Sequence, residues 1–197
     1  MKKSNFTTSV ILPLLAAFIW GTAFTSQSMC VGKVPPFYLN GIRSVIAAIV
    51  LAMVALMVST KKKESVGSRK DVITGSVVCG FFLFAAANLQ QLGIDNGTDG
   101  GKAGFITAAY AVIVPIIELF RHKKVSLKTW VSIVIALTGL YLLCISSGFS
   151  IEINDVYIVG AAVFFALQII ALNYFTQKVN AIALSSGQFL VQRLPLD

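Results

Sequence analysis

Six apolar runs of about 20 residues each, the length that crosses a bilayer's hydrocarbon core as a helix, dictate what this chain can become. They cover Ser9–Met29, Phe37–Val58, Val72–Leu92, Lys102–Phe120, Leu127–Ser146 and Val156–Phe175, and Ile182–Val191 reads as the start of a seventh. Charges gather in clumps between the runs. Only 12% of residues are charged and 56% are hydrophobic, against about a quarter charged in a soluble domain. The expected fold class is therefore all-α integral membrane: a bundle of about six transmembrane helices plus the start of a seventh. The positive start before the first run also fits a signal peptide, but that run is long enough to span.

The net charge of +8 does not point to nucleic acid. Eleven Lys and Arg fall in the N-terminus, the loop after span 2, and the loop after span 4 with the start of span 5 (Lys128), while the intervening loops carry only Lys33 and, at a helix edge, Lys102. Such alternation places basic loops in the cytoplasm. The expected location is the plasma membrane, with the N-terminus cytoplasmic and the Asn96–Gly101 hairpin outside.

The stretch Ala87–Pro115 carries unusual polarity for lipid. Asn88, Gln90 and Gln91 close span 3, a Gly/Asp/Asn hairpin follows, and span 4 contains Pro115. Unsatisfied polar groups are costly in hydrocarbon, so such residues face other helices or a wet cavity. A weak internal repeat adds to this. At an offset of 145, Ala16-Ala17 recurs as Ala161-Ala162, Lys33-Val34 as Lys178-Val179, and Leu39 as Leu184; Arg43 falls on Gln188. Five spans is an odd number, so the second copy enters from the opposite side. Inverted repeats of this kind characterise secondary transporters, with the substrate site near the midplane.

These residues resemble the drug/metabolite transporter superfamily, in its EamA-like family. The matching elements are Ala16–Gly21, Pro35-Pro36, Asn40–Arg43, Leu89–Gly93, Gly101–Thr107 running on to Val114-Pro115, Lys123-Lys124, Gly139–Leu143, Phe165–Leu167 and Gln188-Phe189. The resemblance implies a five-plus-five inverted-repeat transporter architecture. Residues 1–148 would be the first repeat of five spans, and 149–197 the incomplete start of the second. The chain departs from the family pattern at Asp95–Asp99, Glu118 and Arg121-His122, and it stops within span 7.

Candidate substrate-binding residues follow from polarity and depth. Arg43 lies about 9 Å inside span 2, either facing a cavity that holds an anionic or zwitterionic group or snorkelling to the interface. An Arg at this position is common in the family's first repeat, with Gln in the second. Trp20 sits mid-span, off the interfacial aromatic belt. Asn88 and Gln91 share a face; they would bind substrate or join helices. Tyr110 and Gln168 are mid-span and complete the set. Glu118 reads as the local partner of Arg121 rather than a coupling acid, and span 1 has no acid at all.

The single histidine, His122, sits in a basic loop, so neither an enzyme, a metal site nor a cofactor is expected. The expected function is export of a small polar metabolite or drug by alternating access between repeats. The alternative is a non-transporting fragment or subunit that needs missing C-terminal helices or a partner chain. On its own the 197-residue chain is expected not to transport.

Overall fold

The computed structural model describes residues 6–59, 67–122, 124–145 and 152–192. The described residues form eight α-helices: α1 (Phe6–Met29), α2 (Pro36–Ser59), α3 (Arg69–Asp95), α4 (Gly100–Thr107), α5 (Tyr110–Phe120), α6 (Leu127–Ile145), α7 (Asp155–Phe175) and α8 (Ala181–Gln192). The protein is an all-helical membrane bundle. Pro36–Met53, Arg69–Asp95, Gly100–Phe120 and Asp155–Phe175 are long and apolar enough to cross a membrane.

Helix starts follow local chemistry. Pro36 opens α2, where a residue without an N–H costs nothing. Asp99 caps α4, its carboxylate accepting from Gly101 N at 2.8 Å and Lys102 N at 3.3 Å. Asn180 caps α8 in the same way through Ile182 N and Ala183 N.

The longest helix, α3, is the hub. At about 40 Å it outruns the span expected from sequence by three residues at each end, and α7 and α8 lie along it. Small residues permit this. A Cβ on Gly80 would stand 2.8 Å from the Gln188 carbonyl oxygen and 2.6 Å from Val191 Cβ. One on Gly75 would meet Leu184 and Phe175, and one on Gly93 would meet Ile158. Without a hydrophobic drive between helices in lipid, such close approach is what holds them. Two dry clusters result: Ala86, Ala161 and Phe165, and nearer the hairpin Ile94, Ala103 and Ile158.

Helix directions can be read from contacts. The last turn of α1 meets the first residue of α4, where a Cβ on Gly100 would touch Ser28 Oγ. The first turn of α7 is bound to the same hairpin. Thus α1 ends where α7 begins, and the two run in opposite senses.

The fourth span differs from expectation. It is not one helix but two, α4 and α5, parted at Ala108-Ala109. Ala109, Ala111 and Val112 each donate to the carbonyl three residues back, the tighter 3₁₀ pattern. Pro115 gives the reason: it cannot donate to Ala111 O and its ring crowds that carbonyl, so the turn before it tightens.

Candidate functional site

Three rings meet at mid-bundle. Trp20 of α1 stacks on Tyr110 at the head of α5, with centroids 6.1 Å apart and planes at 22°. It meets Phe165 of α7 edge-on at 6.0 Å and 76°. Phe165 lies about 15 Å along α7 from its start, close to half a bilayer core. Aromatic pairs favour these offset and edge-to-face geometries, so the cluster is self-consistent.

Cavities border this cluster. One of about 690 Å³ lies between α1 and α4 toward the hairpin, lined by Trp20, Phe24, Ser28, Gly100, Gly104 and Thr107 among others. One of about 580 Å³ lies toward the opposite, basic end, between α5, α6 and α7; Tyr110, Pro115, Glu118 and Thr129 line it. The smallest, about 330 Å³, is the most polar in character. Arg43, Asn40, Ser44, Gln90 and Gln192 line it, and Trp20 and Phe165 wall it. Arg43 is the one charged side chain among the described residues lining that cavity. Trp20 therefore borders two of the three cavities, and Tyr110 a different two.

Three of the polar wall residues are fixed by neighbours. Asn40 Nδ2 donates to Ala87 O at 3.0 Å and to Asn88 Oδ1 at 3.2 Å, tying α2 to α3. Ser44 Oγ donates to Asn40 O at 2.6 Å. Gln90 Nε2 donates to Thr107 Oγ1 at 2.9 Å, tying α3 to α4. Gln192 Oε1 is buried without a partner among the described residues. The guanidinium of Arg43 carries five donors and no acceptor, so this wall mixes fixed amides with a forked cation suited to a carboxylate or phosphate oxygen.

The six residues expected from sequence separate into two groups. Trp20, Arg43 and Tyr110 are cavity residues. Asn88, Gln91 and Gln168 lie buried between helices. Asn88 accepts from Asn40 and donates to Phe84 O at 2.8 Å. Gln91, 0% exposed, donates to Asp95 Oδ1 at 3.1 Å and leaves its own Oε1 unpartnered. Gln168 donates to Gln188 Oε1 at 3.1 Å, joining α7 to α8. Glu118 stands 3.8 Å from Arg121, the local pair that the spacing suggests.

Asn40, Ser44, Gln90, Gln192 and Phe165 line that cavity and are not among the six substrate-binding candidates expected from sequence. Asn40 and Ser44 carried a signal: Arg43 and Ser44 lie three and four residues after Asn40, on its helical face. Gln90 did not. Three amides within four residues point around the helix, and nothing local says which faces the cavity.

An aromatic node borders three cavities inside a multi-pass membrane bundle with a broken helix, an arrangement found among membrane transport proteins. Comparison with known proteins gives the family. The profile of the EamA-like transporter family matches residues 7–145, and the chain belongs to that family. It is 29% identical over 175 residues to an uncharacterized transporter of Archaeoglobus fulgidus, covering 88% of this chain and 52% of the relative. It is 24% identical over 180 residues to the uncharacterized transporter YetK of Bacillus subtilis, covering 87% and 53%. Protein PagO of Salmonella typhimurium is 28% identical over 131 residues, covering 66% and 42%. The chain thus spans about half the length of the curated relatives it matches. No solved structure matches it.

Proposed function

We propose that the protein works in secondary transport, exporting a small polar metabolite or drug by alternating access between inverted five-span repeats. Residues 1–148 form the first repeat and 149–197 open the second. The N-terminus is cytoplasmic and the membrane is the plasma membrane. The observation that carries this reading is Arg43. It lines a mid-bundle cavity beside Asn40, Ser44, Gln90 and Gln192, where a charge persists in a membrane protein because it serves a polar path. Trp20 and Tyr110 contact the substrate from the aromatic side. Asn88 and Gln168 tie neighbouring helices together, and Gln91 is bonded within α3.

The repeat has support in geometry. At the offset of 145, Trp20 corresponds to Phe165, and these two rings touch. Residues related by a two-fold axis meet only close to that axis. Their helices, α1 and α7, also run in opposite senses, as an inverted repeat requires.

Counterflow in vesicles against a panel of small anionic and zwitterionic metabolites tests the site. Saturable flux should fall about tenfold or more on Arg43→Ala, at unchanged membrane abundance. Flux that survives the substitution sinks this assignment. For orientation, a cysteine at Asn96 should react with an impermeant reagent in intact cells, and one at Lys124 should not.

A second reading is a subunit that needs further helices. One asymmetry favours it: Ala16 and Ala17 are exposed on α1, while their counterparts Ala161 and Ala162 are fully buried on α7.

A further inference from the structure

We propose that Gln192 sets the ligand class of the Arg43 cavity: its side-chain oxygen accepts a hydrogen bond from the hydroxyl of a compact hydroxy acid whose carboxylate lies on Arg43. The inference rests on the transport reading above and adds what the ligand must carry besides an acidic group.

Two unsatisfied groups of opposite kind line this one cavity. Gln192 is 6% exposed, and its Oε1 is buried with no hydrogen-bond partner among the described residues. A buried acceptor left unmade is costly, so whatever donates to it binds at an advantage. Arg43 is the reverse case. Its guanidinium has five donors and no acceptor, and no hydrogen bond or ion pair holds it among the described residues. Both side chains line the same 330 Å³ cavity, yet they do not bond each other. One ligand that accepts from the guanidinium and donates to the amide satisfies both. The turn that carries Gln192 is fixed: Val191 packs on Gly80, and Gln188, one turn earlier, accepts from Gln168.

The cavity lies where the two copies meet. At the offset of 145, Trp20 pairs with Phe165, Ser44 with Phe189 and Ala47 with Gln192, and all six line it. Equivalent positions face one space, but with unlike chemistry. Helix α2 brings Asn40, Arg43 and Ser44, while α8 brings Phe189 and Gln192. A ligand there touches both copies, with its acid on α2 and its donor on α8. Charge narrows the class. Arg43 is cationic, and no Asp or Glu is among the described residues lining the cavity. A carboxylate that carries a neutral hydroxyl leaves the site neutral. A zwitterion would add an ammonium with no acid to meet it, which is costly away from water. Size narrows the class again: about 330 Å³ is near the lower end for ligand pockets, so the ligand is compact. Trp20, Leu83, Phe165 and Phe189 wall its carbon skeleton.

The test reads binding at the cavity rather than flux. Trp20 walls it, and the chain has one other tryptophan, Trp130. In the full chain with Trp130→Phe, held in lipid nanodiscs, Trp20 fluorescence is titrated with three acids of one carbon skeleton. They are leucine, its hydroxy-acid analogue, and the parent acid with neither group. The hydroxy acid should bind about tenfold tighter than the parent acid, the scale of one hydrogen bond to a buried acceptor, and tighter than leucine. Gln192→Met keeps the side chain's length and removes the acceptor. It should bring the hydroxy acid down to the parent acid and leave the parent acid unchanged. Gln192→Glu adds a carboxylate and should turn the preference to leucine. Equal binding of hydroxy and parent acids by Gln192 itself means that water satisfies it, and overturns the proposal. A hydroxyl preference that survives Gln192→Met, or a preference for leucine before any change at Gln192, overturns it too. If Gln192→Met binds none of the three, Gln192→Glu decides, and an unaltered preference there overturns the proposal. Acid binding that is lost on Arg43→Ala but indifferent to the hydroxyl overturns the role of Gln192 alone. Binding indifferent to Arg43 overturns the substrate site above. No saturable response to any of the three acids overturns the hydroxy-acid proposal and leaves the transport reading to the Arg43-dependent counterflow.

Discussion

The pair α1 and α2 and the pair α7 and α8 carry related residues in unlike surroundings. At one offset, Ala161, Ala162 and Phe165 are buried while Ala16, Ala17 and Trp20 are exposed, Trp20 at 40%. Gln188 is buried and bonded to Gln168, while Arg43 is exposed to its cavity. The residues do not cause the difference. Their neighbour does: α7 and α8 lie on the small-residue faces of α3, whereas α1 touches α4 and only the edge of α3. Side chains that face a packed helix are apolar or paired amides. At the equivalent positions facing a cavity stand an indole and a guanidinium, groups that can still meet a ligand.

The largest expected effect lies where α3 meets α8. Gly80→Val would drive a side chain into the Gln188 carbonyl, which is backbone and cannot rotate away. The helices must then separate along their length, at a cost of about 3 kcal/mol. Membrane abundance and thermal stability in detergent should both fall sharply. At Gly139, where a Cβ would meet nothing, the same substitution should be tolerated. If both variants accumulate equally, close packing on α3 is not what distinguishes α7 and α8 from α1 and α2.

That α3 is the hub was not legible in the sequence, although its span was. Run length and charge placement gave the helices because hydrocarbon thickness imposes a length on them. Which helix carries the small face depends on what lies opposite, and Gly75, Ser76 and Gly80 look no different in composition from Gly104 and Ala108. The site was legible in part for the same reason. Arg43 and Trp20 are conspicuous wherever they point, since charge and mid-span indole are rare in lipid. Amides are conspicuous too, but three within Asn88–Gln91 fan around the helix, and Gln90, passed over in favour of its neighbours, is the one lining the cavity. The break at Ala108-Ala109 was hidden because Pro115, which causes it, lies nearly two turns away.

A middle-sized effect separates Gln188 from Arg43. Gln188→Ala removes the acceptor for Gln168 Nε2, leaving a buried donor unpaired, which costs about 1–3 kcal/mol. Stability should drop by that amount. Among the described residues no such bond holds Arg43, so on Arg43→Ala stability should hold while flux falls. Should Arg43→Ala instead lose as much stability as Gln188→Ala, the arginine is an anchor, and the two copies differ less than their burial suggests.

The smallest effect concerns Ala17 and its counterpart. Ala162 is 0% exposed on α7, so Ala162→Leu overpacks a buried position and should cost about 1–3 kcal/mol. Ala17 is exposed. Ala17→Leu adds three heavy atoms (one of them branching) to a face with room for them, and for a surface substitution the change should stay within about 0.5 kcal/mol. Thermal unfolding of both variants in detergent measures the gap. The comparison sharpens in native membranes, where any further helix would be in place. If Ala17→Leu is harmless in detergent but lowers abundance in the membrane as much as Ala162→Leu does, a helix covers α1 there as α3 covers α7. If it is harmless in both, the exposed face of α1 meets lipid or the cavity, and the subunit reading loses the observation that favoured it.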